Sequence, residues 1–146
     1  MPNSPAFDIA SHLIDNEIAS LSKTNKSLPF ISVAIEPDIK DRTLITVYDA
    51  FGKTSNPRFS RDQPTIQVRV KAPTPNGYQH AYAAQQAVKD LLLGMYATVI
   101  NGTNYAHCVQ VVDISSLAAD ANNRPILVAT YNFTRDYDSP NRLPIE

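Results

Sequence analysis

The hydrophobic pattern changes its period across Pro73 and Pro75, and this change constrains the fold more than any other feature of the sequence. Residues 64–72 alternate between apolar and polar side chains, which is typical of a strand with one buried face. The apolar positions are Ile66, Val68 and Val70, and the polar positions are Gln67, Arg69 and Lys71. Residues 77–99 instead follow the helical period, so they predict a long amphipathic helix.

The other periodic segments predict one more helix and four more strands. Ser4 and Pro5 are a suitable N-cap and first residue for an amphipathic helix over residues 5–20. Alternating or β-branched runs predict strands over 28–36, with Ile35 on the apolar face, and over 44–50, 105–113 and 125–134. Because the strands occur in groups, the order α-β-β-β-α-β-β favours an α+β fold over a doubly wound parallel sheet. We expect a single, mostly antiparallel or mixed sheet of about five strands, with the two main helices on one face.

The length of the chain fits one domain. It has 146 residues, within the range of about 100–200 residues that one domain usually spans. We therefore expect a single domain over residues 1–146, with a short N-terminal segment. Residues 135–146 contain five charged residues and two prolines, so we expect an extended C-terminal arm there.

The sequence lacks the common cofactor and metal motifs. Its four glycines are too far apart to form a glycine-rich dinucleotide loop. Gly52-Lys53-Thr54 resembles the end of a phosphate-binding loop, but Val47 stands where such a loop requires a further glycine. Cys108 is the only cysteine, and no histidine has a second ligand at helical spacing. We expect no cofactor, no metal and no enzymatic activity.

Charge and hydropathy also limit the cellular context. The net charge is −1, which argues against a generally basic protein that binds nucleic acid or a membrane surface. No apolar run is long enough to span a membrane, and residues 1–7 lack the order of a secretory signal. We expect a soluble protein made inside the cell.

The charges are nevertheless unevenly distributed along the chain. Residues 50–71 contain five basic residues and one acidic residue, a balance of +4, whereas residues 1–49 and 72–146 carry −3 and −2. A solvated hairpin would explain this distribution. A basic protrusion that meets an acidic neighbouring subunit, or phosphate in a lumen, would explain it equally well.

The order of these segments resembles the phage minor-capsid and tail-terminator family. The resemblance rests on residues 31–38 followed by Leu44-Ile45-Thr46-Val47-Tyr48-Asp49, and on Ile66-Gln67-Val68-Arg69-Val70 followed by a long helix with Tyr78 and Tyr82. It continues through the turn at Asn101-Gly102, a strand ending near Asp113, residues 120–124 and a strand ending in Asn132-Phe133. Altogether it covers about residues 5–135.

The resemblance implies a structural role in the virion tail or neck. Such proteins form a ring, expected to be a homohexamer, at the head-proximal end of the tail tube. The ring stops tube growth and joins the tail to the head, so the expected partners are other copies, the major tail tube protein and the head–tail connector protein. Genome DNA passes through the lumen without sequence-specific binding. The long loop over 52–64 and the charged C-terminal arm depart from the family pattern.

A heterologous ring contact uses two different patches of one chain, so regions of opposite charge can favour ring closure. The polar side of the 64–72 strand and the 52–64 loop are therefore the candidate subunit-interface or lumen region. The candidate residues are Lys53, Arg58, Arg61, Gln67, Arg69 and Lys71.

Two other functions use the same basic loop over residues 53–61. One is a small nucleic-acid-binding module in which Phe51 and Phe59 stack on bases between arginines. The other is a phosphoester-processing enzyme with this loop beside Tyr48 and Asp49, although it lacks a metal-ligand set and a credible base.

Overall fold

A computed structural model of the chain describes residues 3–22, 27–50, 61–73, 76–117, 119–121 and 123–136. Within these ranges the chain forms two helices and seven strands. The elements in chain order are α1 Pro5–Asp15, β1 Phe30–Val33, β2 Leu44–Ala50, β3 Arg61–Asp62, β4 Thr65–Lys71, α2 Gly77–Leu93, β5 Tyr96–Ile100, β6 Thr103–Leu117 and β7 Ile126–Asp136.

The strands form one mixed sheet in the order β1-β2-β4-β7-β6-β5, and β3 pairs separately with β7. The β1–β2 pair is parallel and every other pair is antiparallel. The α+β class and the mixed sheet are therefore confirmed, with more strands than the expected five. The additional strands are the two-residue β3 and the edge strand β5.

Helix α1 begins where the sequence predicts and ends earlier. The Ser4 side chain accepts a hydrogen bond from the backbone N–H of Phe7, at 3.2 Å, and Pro5 is the first helical residue. The helix ends at Asp15, because Asn16 caps it and Glu17 adopts a positive φ of 60°. The predicted extension to residue 20 is wrong.

Helix α2 also ends before its predicted boundary, and a strand replaces its last turn. Gly94 terminates the helix, and the chain then reverses into β5. Tyr96 and Val99 match the helical period, yet they lie on β5 with 84% and 67% of their surface exposed. Ala97 has a positive φ of 46°, which no helix interior tolerates. The predicted helix over 77–99 is therefore wrong beyond residue 93.

Three strand boundaries also differ from the prediction. Strand β1 is shorter, since Ala34 has a positive φ of 66° and Ile35 is exposed rather than on the apolar face. Strand β6 is longer than 105–113, extending into the predicted polar connection. Strand β7 includes Arg135 and Asp136, which were predicted to begin the C-terminal arm, while residues 137–146 lie outside the described ranges.

Both helices pack on the same face of the sheet, which is the core face. Its central strand contributes Ile66, Val68 and Val70, all fully buried. The helices cover them with the buried side chains Ala6, Ile9, Ala10, Leu13, Ala81, Ala84, Val88 and Leu92. The buried amide of Gln85 donates 2.9 Å hydrogen bonds to the carbonyl oxygens of Val68 and Leu127, which attaches α2 to two strands. The expected placement of both helices on one face is confirmed.

Candidate interaction surface

No helix of the described residues lies on the opposite face of the sheet, and we call it the helix-free face. Gln67, Arg69 and Lys71 alternate with the core residues of β4, so they belong to this second face. Directly paired residues on neighbouring strands point to the same face of the sheet. Tyr48 on β2 and Thr130 on β7 both pair with Gln67, so they also belong to the helix-free face. The sequence correctly placed these three polar residues of β4 together on one side.

Arg69 lies at the polar centre of the helix-free face. Its guanidinium carbon is 5.6 Å from the centre of the Tyr48 ring, in a cation–π arrangement. Within the described part of the chain, the buried Nε of Arg69 has no hydrogen-bond partner and no acidic side chain forms an ion pair with it. An unpaired arginine stacked on a tyrosine is the kind of group that protein–protein contacts favour.

Lys71 has a different environment, since it belongs to a buried cluster of charges. Its Nζ lies 2.7 Å from a Glu36 carboxylate oxygen and 3.5 Å from Asp120. The same Asp120 carboxylate accepts from Nε of Arg124 at 2.8 Å, and Arg124 also donates to the carbonyl oxygen of Ile39. This cluster joins two loops to the end of β4, so Lys71 holds the fold together at this position.

Arg61 is also paired. Its Nε and a terminal nitrogen donate to the two carboxylate oxygens of Asp136, at 2.8 and 3.1 Å, and this hydrogen bonding raises the pKa of Arg61. Lys53 and Arg58 lie outside the described residues. The positive charge of residues 50–71 is thus partly neutralised by acidic residues distant in the chain. Among the described basic residues of this segment, Arg69 is the one without an ion pair.

An exposed apolar strip lies beside this polar centre, and we call it the apolar margin. Register places all of its side chains on the helix-free face, because their partners on β7 or β6 belong to that face. They are Tyr96 and Val99 on β5, and Val109, Val112 and Leu117 on β6. They are among the largest apolar side chains that the described chain exposes.

The sequence reasoning missed the apolar margin. A signal was present, since residues 109–117 read Val-Gln-Val-Val-Asp-Ile-Ser-Ser-Leu with one charge. That charge, Asp113, forms an ion pair with Lys89 at 3.1 Å. The backbone N–H of Ile114, and then Lys89, lower the pKa of Asp113. The distal part of β6 therefore lacks the unpaired charges that usually protect an exposed strand.

The described chain shows no arrangement suited to metal-dependent chemistry. Within it, no group of three or more His, Cys, Asp or Glu side chains could hold a metal ion. His107 and Cys108 point to opposite faces, as the sequence predicted, because they pair with the successive residues Thr134 and Phe133. Burial raises the pKa of Cys108 to about 12, so its thiol is unreactive near neutral pH.

Neither helix in the described ranges is long and apolar enough to cross a membrane.

Comparison with known protein families assigns the chain. The profile of the family described as bacteriophage tail terminator protein matches residues 12–137, from within α1 to one residue beyond β7. The chain belongs to the bacteriophage tail terminator family. No match was found among curated proteins. The resemblance seen in the sequence is thereby confirmed, and the tail terminator is a structural component of the phage tail rather than a member of an enzyme family.

Proposed function

We propose that this tail terminator assembles into a homohexameric ring at the head-proximal end of the tail tube. There it stops tube growth by covering the last ring of the major tail tube protein, and it presents a surface to the head–tail connector protein. Genome DNA passes through the lumen of the ring. The protein is made in the host cytoplasm and joins the virion as part of the tail or neck. Family membership supports the terminating role.

The observation that carries the ring is the exposed apolar margin of the helix-free face. A sheet with apolar side chains on both faces usually has both faces covered, since exposed apolar area costs free energy in water. Here the core face is covered by α1 and α2, whereas the apolar margin and Arg69 remain exposed or half-exposed in one chain. A second copy would cover them.

The charge distribution supports a lumen through which DNA can move. Each phosphate that a protein neutralises adds to its affinity for DNA, so a continuous basic lining would hold the genome. Arg61 and Lys71 are paired with carboxylates, which leaves them little charge to offer phosphate. Lys53 and Arg58 remain proposed contacts to a neighbour or to the lumen, outside the described residues.

The same pairing does not favour the nucleic-acid-binding and phosphoester-processing alternatives. Both would use the basic loop over 53–61, and the one described residue of that loop, Arg61, is engaged by Asp136. Base stacking by Phe51 and Phe59 falls outside the described residues.

Native mass spectrometry and negative-stain imaging of the purified protein test the proposal. Six chains of 16.1 kDa give a ring of about 97 kDa, and the ring should attach to one end of tails that lack a terminator. A protein that stays monomeric at high concentration and never associates with tails would contradict the proposal. Submicromolar, steeply salt-dependent binding to oligonucleotides would instead favour the nucleic-acid-binding module.

A further inference from the structure

One flank of α2 carries a second exposed apolar surface, which we call the α2 stripe. It consists of Tyr78, Tyr82 and Leu93, which are 49%, 43% and 40% exposed. At 3.6 residues per turn these positions fall within an arc of about 60°. The buried residues Ala81 and Val88 lie about 60–140° around the helix from the stripe. Lys89, whose Nζ pairs with Asp113, falls within the same arc as the stripe. The three side chains of the α2 stripe therefore each keep 40–49% of their surface exposed in one chain.

The α2 stripe and the apolar margin lie on opposite layers of the molecule. The stripe is on one flank of a helix in the helix layer, whereas the margin is on the sheet face that turns away from both helices. A head-to-tail contact requires two different patches on one protomer, because each copy offers one patch to each neighbour. In such a contact, α2 of one copy would cover the helix-free face of the next copy.

The charges next to the two patches are complementary. Arg69 lies on the same face as the apolar margin, separated from β6 by the single strand β7, and has no acidic partner in the described part of the chain. Asp90 lies beside the α2 stripe, is exposed, and accepts a hydrogen bond from the neutral amide of Gln86 at 3.0 Å. No cation forms an ion pair with Asp90 among the described residues. A guanidinium and a carboxylate that are each unpaired in one protomer can pair across an interface.

The helix-free face can supply the centre of a stable interface. Strands β6 and β7 contain 15 and 11 residues, and strand spacing then gives them about 400 Å² of the helix-free face. With β4 and β5 beside them the whole face reaches about 600 Å², compared with about 800 Å² per partner in a standard interface. Thr65, Lys71, Val128 and Thr134 on this face are already buried in one chain, so surrounding residues must supply the rest of the contact. Tyrosines on both patches add the side chains that most often dominate binding energy.

We propose that the α2 stripe of one copy packs against the apolar margin of the next copy, so that the ring contact is a helix on a sheet. This inference rests on the proposed ring and identifies its interface. Tyr78, Tyr82 and Leu93 contact Tyr96, Val109 and their neighbours, and Asp90 of the helix faces Arg69 of the adjacent sheet.

Cysteine cross-linking tests the pairing of the two patches. In a Cys108→Ala background, Tyr82→Cys and Val109→Cys are introduced together and each alone, and the chains are treated with a short bismaleimide. Tyr82 lies on α2 and Val109 on the sheet face turned away from the helices. A product joined within one chain keeps the monomer mass, so mass distinguishes it from the ladder. We expect the double variant to give a ladder of oligomers that ends at the ring mass, and each single variant to give monomers.

The outcomes separate this inference from the ring itself. Dimers from Val109→Cys alone would mean that two sheet faces pack together, which overturns the inference and leaves an assembly. A ring that forms but yields no ladder from the double variant overturns the helix-on-sheet contact alone. If neither the wild type nor the Cys108→Ala parent forms a ring, the proposed function is contradicted.

A matched pair of substitutions on α2 gives a second test without cross-linking. Tyr82→Glu places a charge in the proposed contact and should convert the ring to monomers without changing the melting temperature of the monomer. Ala87→Glu is the control, because Ala87 is also exposed but lies about 140° around the helix from the stripe. It should leave the ring intact. Equal ring mass for both variants would overturn the inference.

Discussion

The two faces of the sheet are built from the same strands and differ in what covers them. On β4, Ile66, Val68 and Val70 are completely buried under the helices, whereas Gln67 and Arg69 between them are only half-buried. The core face is completed within one chain and supplies the stability of the fold. The helix-free face leaves the apolar margin exposed and Arg69 half-buried, so these side chains are available for assembly.

The same contrast divides β6 along its length. Near its start, Tyr105 is fully buried and its hydroxyl donates to Asp8 at 2.6 Å, which connects the strand to α1. Beyond residue 108, Val109, Val112 and Leu117 are exposed. Substitutions on the two faces should therefore affect different properties, with folding changed by one set and assembly by the other.

The largest effect on folding should come from Phe133→Ala on the core face of β7. Phe133 is fully buried and packs edge-on against Tyr105, with ring centres 5.7 Å apart. Removing such a ring leaves a cavity and should lower the free energy of unfolding by about 3–5 kcal/mol. Urea unfolding measures the change. Thr130→Ala on the other face of the same strand is the control and should cost less than about 1 kcal/mol; similar losses would break the comparison.

Tyr105→Phe should have the next largest effect. Asp8 is fully buried, and its carboxylate accepts from the Tyr105 hydroxyl and, at 2.9 Å, from the side chain of Asn101. Loss of the hydroxyl leaves a buried carboxylate with one donor fewer, which should cost about 1–3 kcal/mol in urea unfolding. Asn101→Ala removes the exposed partner of the same carboxylate and should cost less. An unchanged stability of Tyr105→Phe would show that the network does not contribute to the core.

The buried thiol of Cys108 on the core face should make the free energy of unfolding fall at alkaline pH. Burial raises the pKa of the Cys108 thiol from its ordinary value of 9.0 to about 12. The folded state therefore holds this proton more tightly than the unfolded state, so its contribution is present below pH 9 and is lost as pH rises from 9 to 12. Thermal unfolding should show a shallower fall for Cys108→Ala, by about 1 kcal/mol between pH 9 and pH 10. Parallel curves for the two proteins would contradict the burial of the thiol.

The smallest effect on folding should come from charge changes on the helix-free face. Arg69→Glu should alter the unfolding free energy by less than about 1 kcal/mol, since Arg69 has a cation–π contact to Tyr48 and no ion pair among the described residues. It should nevertheless weaken the ring, because the substituted glutamate would face Asp90 of the next copy. Adding Asp90→Arg should restore ring mass in native mass spectrometry. If the double variant forms no more ring than Arg69→Glu alone, Arg69 and Asp90 do not pair across the interface.

Local sequence signals account for much of the fold. Strand β2 has its predicted bounds, β4 differs by one residue at each end, and Ser4 caps α1 as expected. The errors occur where a helical period continues past a glycine, as at Gly94, or where a positive φ ends a strand, as at Ala34. Periodicity alone does not distinguish these positions, because Tyr96 and Val99 fit a helix pattern even though they form an edge strand.

The candidate site was less predictable because it depends on contacts between distant residues. The alternation of β4 placed Gln67, Arg69 and Lys71 on one face, and the structure agrees. The carboxylates that pair Arg61 and Lys71 lie 75 and 35 residues away, which no local pattern reveals. The apolar margin depends on β6 lying near the edge of the sheet, and the strand order in space sets that property.

Native mass spectrometry of the wild type and of Val109→Glu, in the same buffer and at the same concentration, tests most directly whether the helix-free face is the subunit contact. The wild type should give a species of about 97 kDa, six chains of 16.1 kDa, and Val109→Glu should give a folded monomer. Circular dichroism should show the same melting temperature for the two monomers, since Val109 is exposed. A Val109→Glu variant that still assembles into the full ring would contradict the account.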